Sequence, residues 1–246
     1  MPELPQFRRG ASGQLRNAYG GTSFTVPIPS TARQLDLGNV SVLEGLNLTH
    51  VFVCTPPTER QFLRYYLSLP SHPIVHVEKP LSILPVGEST EVTLNDRLSV
   101  GYLYAHALTK ATIDVAWDFL DVCMIEPLPP EGNWRYGHGV TWDLGVHVVS
   151  VLAAADRALA GKVEVNNRSE LVVKGIGWRI RAAWSDAEAS RFTINGQQCD
   201  WYPLFAHQFL SINNPEVRAR SRYIAEVTER AVAKWSGYDL RRRIYR

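Results

Sequence analysis

The sequence has 246 residues, enough for one large domain or two smaller ones with a sizeable core. Its 45% hydrophobic and 20% charged residues are typical of soluble globular proteins, and a net charge of +2 favours neither nucleic acid nor a membrane surface as a partner. The longest nearly apolar run, GVHVVSVLAAA, is too short to span a bilayer, and the start MPELPQFRR lacks the apolar stretch of a secretory signal. With three scattered cysteines, Cys54, Cys123 and Cys199, these features predict a cytoplasmic protein with reduced, buried thiols.

The first clear elements form a βαβ unit. The run HVFVC at residues 50–54 is continuously apolar, as a strand covered on both faces should be. Thr58 and Gln61 match a capping box that opens the helix ERQFLRYYLSL, and IVHV follows as a second buried strand. Strand, helix and strand at this spacing predict parallel pairing with a right-handed crossover.

The pattern changes after residue 97. LSVGYLYAH and DFLDVCMIEPL are predicted strands, and residues 139–161 form a predicted buried helix that ends at Gly161. Short alternating strands follow, with a hairpin turn at Asn195-Gly196, and SRYIAEVTERAVAKW is a predicted amphipathic helix. The predicted fold class is therefore α/β plus α+β. A truncated Rossmann-like parallel sheet in residues 1–84 is joined to a large open, mostly antiparallel sheet covered by helices in residues 85–246.

Lys79 is the first candidate site residue. It follows the strand IVHV in the sequence EKP, and ligands of open parallel sheets bind at the carboxyl ends of the strands. A partly desolvated amine at this edge can serve as an acid or as an oxyanion donor. The alternative is that Lys79 pairs with Glu78 and only caps the strand.

Asp143 and His147 are a second candidate pair. They are four residues apart, so a regular helix would place both side chains on one face, where a carboxylate would orient the imidazole for proton transfer. A buried polar pair or a helix N-cap is the alternative. Two ligands without a third make a weak zinc site, so no metal is predicted.

Four motifs in order, VFVCTPP, VHVEKPLS, VGYLYAH and DLGVHVVSVL, resemble successive signatures of the Gfo/Idh/MocA family of nicotinamide-dependent oxidoreductases. The resemblance runs from about residue 49 to residue 152. It implies that Lys79 binds substrate and relays a proton, and that Asp143 and His147 are its acidic and imidazole partners. It also implies a homodimer formed through the open sheet. The substrate-pocket residues expected from these motifs are Glu78, Tyr102, Tyr104 and His106.

The family's glycine-rich G-x-G-x-x-G turn is not found, because RRGASGQLRNAYGG has the wrong spacing and no strand before it. We therefore expect no cofactor, and an enzyme that uses acid–base chemistry on a small organic substrate: dehydration, isomerisation, conjugate addition or cyclisation. The setting we expect for it is specialised-metabolite biosynthesis. The alternatives are an NAD- or NADP-dependent oxidoreductase of this family and a non-catalytic partner subunit.

The segment GNWRYGHGVTWDLG is a further candidate part of the substrate pocket. Its residues Trp134, Tyr136, His138 and Trp142 could supply aromatic walls and a further proton donor. The alternative is ordinary loop and core packing.

Overall fold

The structure, a computed structural model, describes residues 41–54, 63–81, 95–105 and 118–236. The chain divides into a unit of residues 1–42 and a unit of residues 43–246, and the description concerns the second. Within the described ranges, no helix combines the length and the apolarity needed to cross a membrane. Of the three cysteines, Cys123 and Cys199 are half-buried, whereas Cys54 is exposed, so the expectation that all three thiols are buried is wrong.

The described helices and strands alternate along the chain. The helices are α1 (Ser41–Glu44), α2 (Leu63–Ser68), α3 (Trp134–Val140), α4 (Val146–Ala154), α5 (Trp201–Ser211) and α6 (Pro215–Trp235). A 3₁₀ turn spans Leu103–Ala105 and a π-helical turn spans Thr141–Gly145. The strands are β1 (His50–Val53), β2 (Ile74–Glu78), β3 (Leu98–Gly101), β4 (Leu120–Glu126), β5 (Gly161–Asn166), β6 (Glu170–Gly175), β7 (Trp178–Trp184), β8 (Arg191–Ile194) and β9 (Gln197–Gln198).

A small parallel sheet has the strand order β1-β2-β3, which confirms the parallel pairing predicted for the first two strands. Strand β3 pairs with β2 over its whole length and is buried throughout, because it is covered on both faces. The sheet therefore extends to Gly101, and the predicted domain boundary after residue 84 cuts through it. The capping box of Thr58 and Gln61 lies outside the described residues.

The large sheet has the order β5-β6-β7-β4-β8-β9. All its pairs are antiparallel except β4 with β7, which confirms the predicted class of a parallel sheet joined to a mostly antiparallel one. The hairpin predicted at Asn195-Gly196 connects β8 and β9, and both turn residues have positive φ, 49° and 76°. Two consecutive left-handed residues are the geometry that this dipeptide favours.

The long helix predicted for residues 139–161 is divided into several parts. Gly139, at φ 76°, interrupts the helical backbone inside α3, the π-helical turn follows, and α4 ends at Ala154. Asp156 then takes a left-handed conformation at φ 53°, so the chain turns there and Gly161 begins β5 instead of ending a helix.

The C-terminal helices also differ from the prediction. Helix α5 has no counterpart among the predicted elements, because the last predicted strand ends at Trp201, where the helix begins. Helix α6 begins at Pro215, six residues before the predicted start at Ser221; Asn214 caps it by accepting a hydrogen bond from the amide of Glu216 at 2.9 Å.

Helix α4 lies in the centre of the core. Its residues Val146–Ala153 are all buried, and it packs against α6, the 3₁₀ turn, β4 and β7. Helix α6 fixes the loop after β2, because the carboxylate of Glu229 accepts hydrogen bonds from the amide of Leu81 at 2.5 Å and from the hydroxyl of Tyr102 at 2.7 Å. These contacts hold the carboxyl edge of the small sheet against α6.

Candidate active site

Four charged side chains come together where the loop after β2 meets the end of β4, helix α3 and the π-helical turn. Lys79 follows β2, Glu126 ends β4, Arg135 lies on α3, and Asp143 lies in the π-helical turn. All four are at least partly buried, and Asp143 is fully buried. Buried charges require partners, and the arrangement of these four meets that requirement.

Strands β4 and β7 deliver two of the site residues through their register. They pair in parallel, with Glu126 opposite Trp184 at their carboxyl ends. Alternate residues of a strand share a face, and earlier even-numbered residues such as Met124 and Ala182 belong to the core. Glu126 and Trp184 are therefore the last residues on the helix-covered face, where the π-helical turn passes.

Arg135 connects the two carboxylates of the site. Its Nε donates to Oδ1 of Asp143 at 2.6 Å, and its Nη2 lies 2.6 Å from Oδ2 of Asp143 and 2.5 Å from Oε2 of Glu126. Asn133 caps the start of α3 by accepting from the amide of Arg135 at 3.0 Å. A guanidinium fork suits this bridging role because its donors lie in one fixed plane.

Lys79 lies at the mouth of the cluster, with its side chain 14% exposed. Its Nζ donates to the backbone oxygen of Asp143 at 3.0 Å and lies 3.9 Å from Oδ1 of the same residue. Lys79 is the first residue after β2, and from this position its ammonium reaches across to the π-helical turn. Glu78 lies elsewhere, beside Gly101, His76 and Gln208.

His147 is neutral in this environment. Burial lowers its pKa well below the ordinary value of 6.5, and the nearby Lys79 and Arg135 lower it further. Its Nδ1 is buried without a hydrogen-bond partner among the described residues, and its ring meets Tyr104 edge-on at 5.1 Å. A buried imidazole with one uncommitted nitrogen beside a lysine is suited to receive a polar group of a ligand.

The predicted pairing of Asp143 with His147 does not form. Both oxygens of Asp143 are occupied: Oδ1 by Arg135, and Oδ2 by Arg135 and by the indole of Trp184 at 3.1 Å. Asp143 lies in the π-helical turn, where its carboxylate faces Arg135 and Trp184 rather than the imidazole. Asp143 therefore orients Lys79 and Arg135 rather than the imidazole.

Glu126 titrates close to neutrality. Burial is the main cause that raises its pKa to about 7; the carboxylate of Asp143 raises it further and Lys79 opposes the change. The guanidinium of Arg135, 2.5 Å away, favours the ionised form and so opposes the effect of burial. Glu126 is therefore a carboxyl group of the site whose pKa lies close to physiological pH.

Other predicted site residues have different positions. Tyr104 is half-buried, stacks on Phe192 at 3.9 Å between ring centroids and contacts His147, so it is part of the site wall. Tyr102 is 1% exposed and its hydroxyl is bound to Glu229, so it supports the fold and is not available to a substrate. His106 lies outside the described residues.

The aromatic segment before the π-helical turn contributes in part. The ring of Tyr136 stacks on Trp184 at 6.4 Å and lies under the guanidinium of Arg168 at 3.8 Å. Trp142 is buried in the core, and His138 is half-buried at the end of α3. The side chain of Trp134 lies outside the described residues.

Three site residues were not predicted: Glu126, Arg135 and Trp184. Glu126 and Trp184 are the final residues of strands that were predicted correctly, and a polar or aromatic residue at a strand end was the signal. Nothing local predicts that Arg135 would reach both carboxylates. Among the residues that the structure describes, no group of three or more His, Cys, Asp and Glu side chains could hold a metal ion.

No protein-family model matches the sequence, and no curated protein matches it. Solved structures do match. A dehydrogenase (MviM) from Clostridium difficile is 14% identical with a TM-score of 0.58, and the match covers 80% of this chain and 81% of that one. A variant of KijD10, a 3-ketoreductase from Actinomadura kijaniata in complex with TDP-benzene and NADP, is 13% identical with a TM-score of 0.55 and 81% coverage of both chains. UDP-N-acetylglucosamine 3-dehydrogenase GnnA from Acidithiobacillus ferrooxidans is 16% identical with a TM-score of 0.54, over 76% of this chain and 77% of that one.

At these identities the likeness shows the fold. The chain has the fold of the Gfo/Idh/MocA-type dehydrogenases, and the resemblance inferred from the sequence motifs is confirmed at that level. The expectation of no cofactor is overturned, because a 3-ketoreductase structure with this fold holds NADP. The comparisons favour the oxidoreductase alternative over redox-neutral acid–base chemistry.

Proposed function

We propose that the protein is a nicotinamide-dependent oxidoreductase that interconverts a secondary alcohol and a ketone on a small molecule. The observation that carries the proposal is the position of Lys79. Its ammonium is held by Asp143 at the carboxyl edge of the parallel sheet, next to the neutral imidazole of His147. The fold supports the proposal, because KijD10 and GnnA are a 3-ketoreductase and a 3-dehydrogenase.

The described residues fit the nicotinamide end of such a cofactor. The ends of β1 and β2 lie side by side in the parallel sheet, and ligands bind at this edge of open α/β sheets. Nearby, the buried Nδ1 of His147 has no hydrogen-bond partner in the described part of the chain, and the amine of Lys79 is partly exposed. No glycine-rich turn from strand to helix occurs in the described ranges, so the residues that would hold the pyrophosphate are left unassigned.

The residues of this chain would bind and orient the substrate and handle the proton at its reacting oxygen. When bound, the nicotinamide supplies or accepts the hydride, which no side chain can do. In the reducing direction Lys79 would donate a hydrogen bond to the ketone oxygen, stabilise the negative charge that develops there and give that oxygen the proton of the alcohol; in the oxidising direction the proton would return to the amine. Asp143 fixes the direction of that donor, and the uncharged His147 holds a neighbouring polar group of the substrate.

The test is turnover followed by nicotinamide absorbance with a panel of polyols, sugars and nucleotide-linked sugars. Lys79→Met should lower kcat/KM at least about a hundredfold, because it removes an oxyanion donor without adding volume. Lys174→Met is the matched control: this lysine pairs with Glu164 at 3.0 Å on the large sheet, away from the site. Equal turnover of wild type and Lys79→Met would refute the role of Lys79.

A further inference from the structure

We propose that Glu126 is a positioning residue of this site: through Arg135 it holds the carboxylate of Asp143, and through Asp143 it orients the ammonium of Lys79. The inference rests on the proposed function, because it assigns a positioning residue to the same site. It requires that the contacts form one continuous path and that the path begins at a group able to change its charge.

The path is continuous in the structure. Glu126 Oε2 accepts from Nη2 of Arg135 at 2.5 Å, and the same guanidinium contacts both oxygens of Asp143 at 2.6 Å. Asp143 in turn holds Lys79 through its backbone oxygen at 3.0 Å. A change at Glu126 therefore reaches Lys79 through three successive charge-assisted hydrogen-bonded contacts.

Glu126 is the member of the path that exchanges protons with solvent. Its side chain is 26% exposed, whereas those of Arg135 and Asp143 are 11% and 1% exposed. Its pKa, raised by burial to about 7, allows the exchange at physiological pH. In the described part of the chain, the titratable or charged groups that face it are Lys79, Tyr104, Arg135 and Asp143.

The charges of the path balance only when Glu126 is ionised. Lys79 and Arg135 are then matched by Asp143 and Glu126, whereas protonation of Glu126 leaves Asp143 as the charged member of these two carboxyl groups. The guanidinium of Arg135 then interacts chiefly with Asp143, and the electrostatic attraction between this carboxylate and the ammonium of Lys79 weakens. Protonation should therefore alter every hydrogen bond that Asp143 accepts.

Trp184 provides a direct reporter of this change. Its indole Nε1 donates to Oδ2 of Asp143 at 3.1 Å, and the chemical shift of an indole N–H responds to the strength of its hydrogen bond. With ¹⁵N-labelled tryptophan, the Trp184 signal can be assigned by its loss in Trp184→Phe. The measurement needs neither cofactor nor substrate, so its failure is distinct from a failure of the proposed function.

The experiment is a pH titration of the Trp184 indole signal in wild type and two variants. We expect an inflection near pH 7 in wild type that is lost in Glu126→Gln, which keeps an acceptor for Arg135 but cannot titrate. Glu188→Gln is the matched control, because Glu188 also pairs with an arginine, Arg181, at 3.0 Å, and its side chain is 31% exposed. The inflection of the Trp184 signal should remain in this variant. A purely structural role for Glu126 would not remove an inflection.

Two results would overturn the proposal: a wild-type signal without an inflection near neutrality, or an inflection that persists in Glu126→Gln. If Glu126→Gln does not fold, Arg135→Lys replaces it, because a lysine keeps the charge but lacks the fork that spans both carboxylates. A reduced inflection in Arg135→Lys supports the path, and an unchanged one overturns it.

Discussion

At the scale of single residues, the charge state of His147 follows from its surroundings. Its pKa in the folded chain lies below the ordinary value of 6.5, because burial and the two cations Lys79 and Arg135 all disfavour the imidazolium. Below pH 6.5 the folded chain therefore binds fewer protons at this position than the unfolded chain does. Stability is lost as the pH falls through this range.

Replacing His147 with methionine should remove this loss. We expect the free energy of unfolding of wild type to fall by about 1–2 kcal/mol more than that of His147→Met between about pH 7.5 and about pH 5. Glu126 acts in the opposite direction, because its raised pKa of about 7 favours the folded chain as the pH falls, but both proteins contain it. Urea unfolding at several pH values measures the difference, and parallel pH dependences would contradict the assignment.

Arg135 has a structural role that is separable from catalysis. Its removal would leave Asp143, which is fully buried, with the indole of Trp184 and the more distant Lys79 as side-chain partners. We expect Arg135→Met to lower the free energy of unfolding by about 3–5 kcal/mol, the usual cost of an uncompensated buried charge.

The exposed pair of Arg230 and Glu226 on α6 is the matched control for this measurement. Its two side chains are 61% and 39% exposed, so Arg230→Met should cost less than about 1 kcal/mol. Urea unfolding of both variants decides the matter. Equal costs would mean that Arg135 does not stabilise Asp143.

At the scale of elements, the packing of Trp178 depends on two glycines. A Cβ on Gly175 would lie 2.1 Å from the Trp178 indole, and one on Gly161 would lie 2.5 Å from it. The indole covers the backbone of β5 and β6 and donates to the carbonyl of Ala158 at 2.9 Å. A methyl group at Gly175 would force this large, fully buried side chain out of its place.

We expect Gly175→Ala to lower the free energy of unfolding by about 2 kcal/mol or more, through overpacking at the edge of the large sheet. Gly137→Ala in α3 is the control: a Cβ there meets no atom within 4 Å, and its backbone is not left-handed, so the change should stabilise by about 0.5–1 kcal/mol. Thermal unfolding of both variants tests the comparison. A harmless Gly175→Ala would show that the indole can move.

The elements that the sequence predicted best were those with a local signal. Alternating apolar and polar residues identified β5, β6, β7 and β8, and Asn195-Gly196 identified the hairpin between β8 and β9. The π-helical turn was not predictable in this way, because residues 141–154 are apolar all around and carry no period that would distinguish it from an α-helix. Asp143 and His147 do not pair because Arg135 and Trp184 occupy both oxygens of the carboxylate.

Long-range pairing determined what the sequence could reveal about the site. Lys79 was predictable because the end of a parallel strand is a local feature. Glu126, by contrast, meets Arg135 only because β4 pairs with β7 in parallel and places its end below the π-helical turn. No pattern along the chain encodes that pairing. The roles of Lys79 and His147 stay predictions until they are measured.

At the scale of the whole molecule, one face of the large sheet lacks a covering helix among the described elements and is charged. Arg181 pairs there with Glu170 at 2.8 Å and Glu188 at 3.0 Å, and Arg191 pairs with Glu188 at 2.9 Å. The homodimer predicted through this face stays a prediction, as does the cytoplasmic location.

Light scattering at micromolar concentration tests the dimer. We expect a mass of twice the 27.7 kDa of one chain. Arg181→Glu, which would place a third carboxylate beside Glu170 and Glu188, should shift the mass toward that of a single chain. Arg230→Glu, on the exposed side of α6, is the control and should leave the mass unchanged. A monomeric wild type would contradict the prediction.

The central claim is that this chain uses a nicotinamide cofactor, and calorimetric titration with NADH and NADPH tests it most directly. The preparation is first checked for nucleotide carried through purification. The account predicts binding of at least one of the two dinucleotides at micromolar concentration, both in wild type and in Lys79→Met. No binding at millimolar dinucleotide would contradict it, because hydride transfer would then have no carrier.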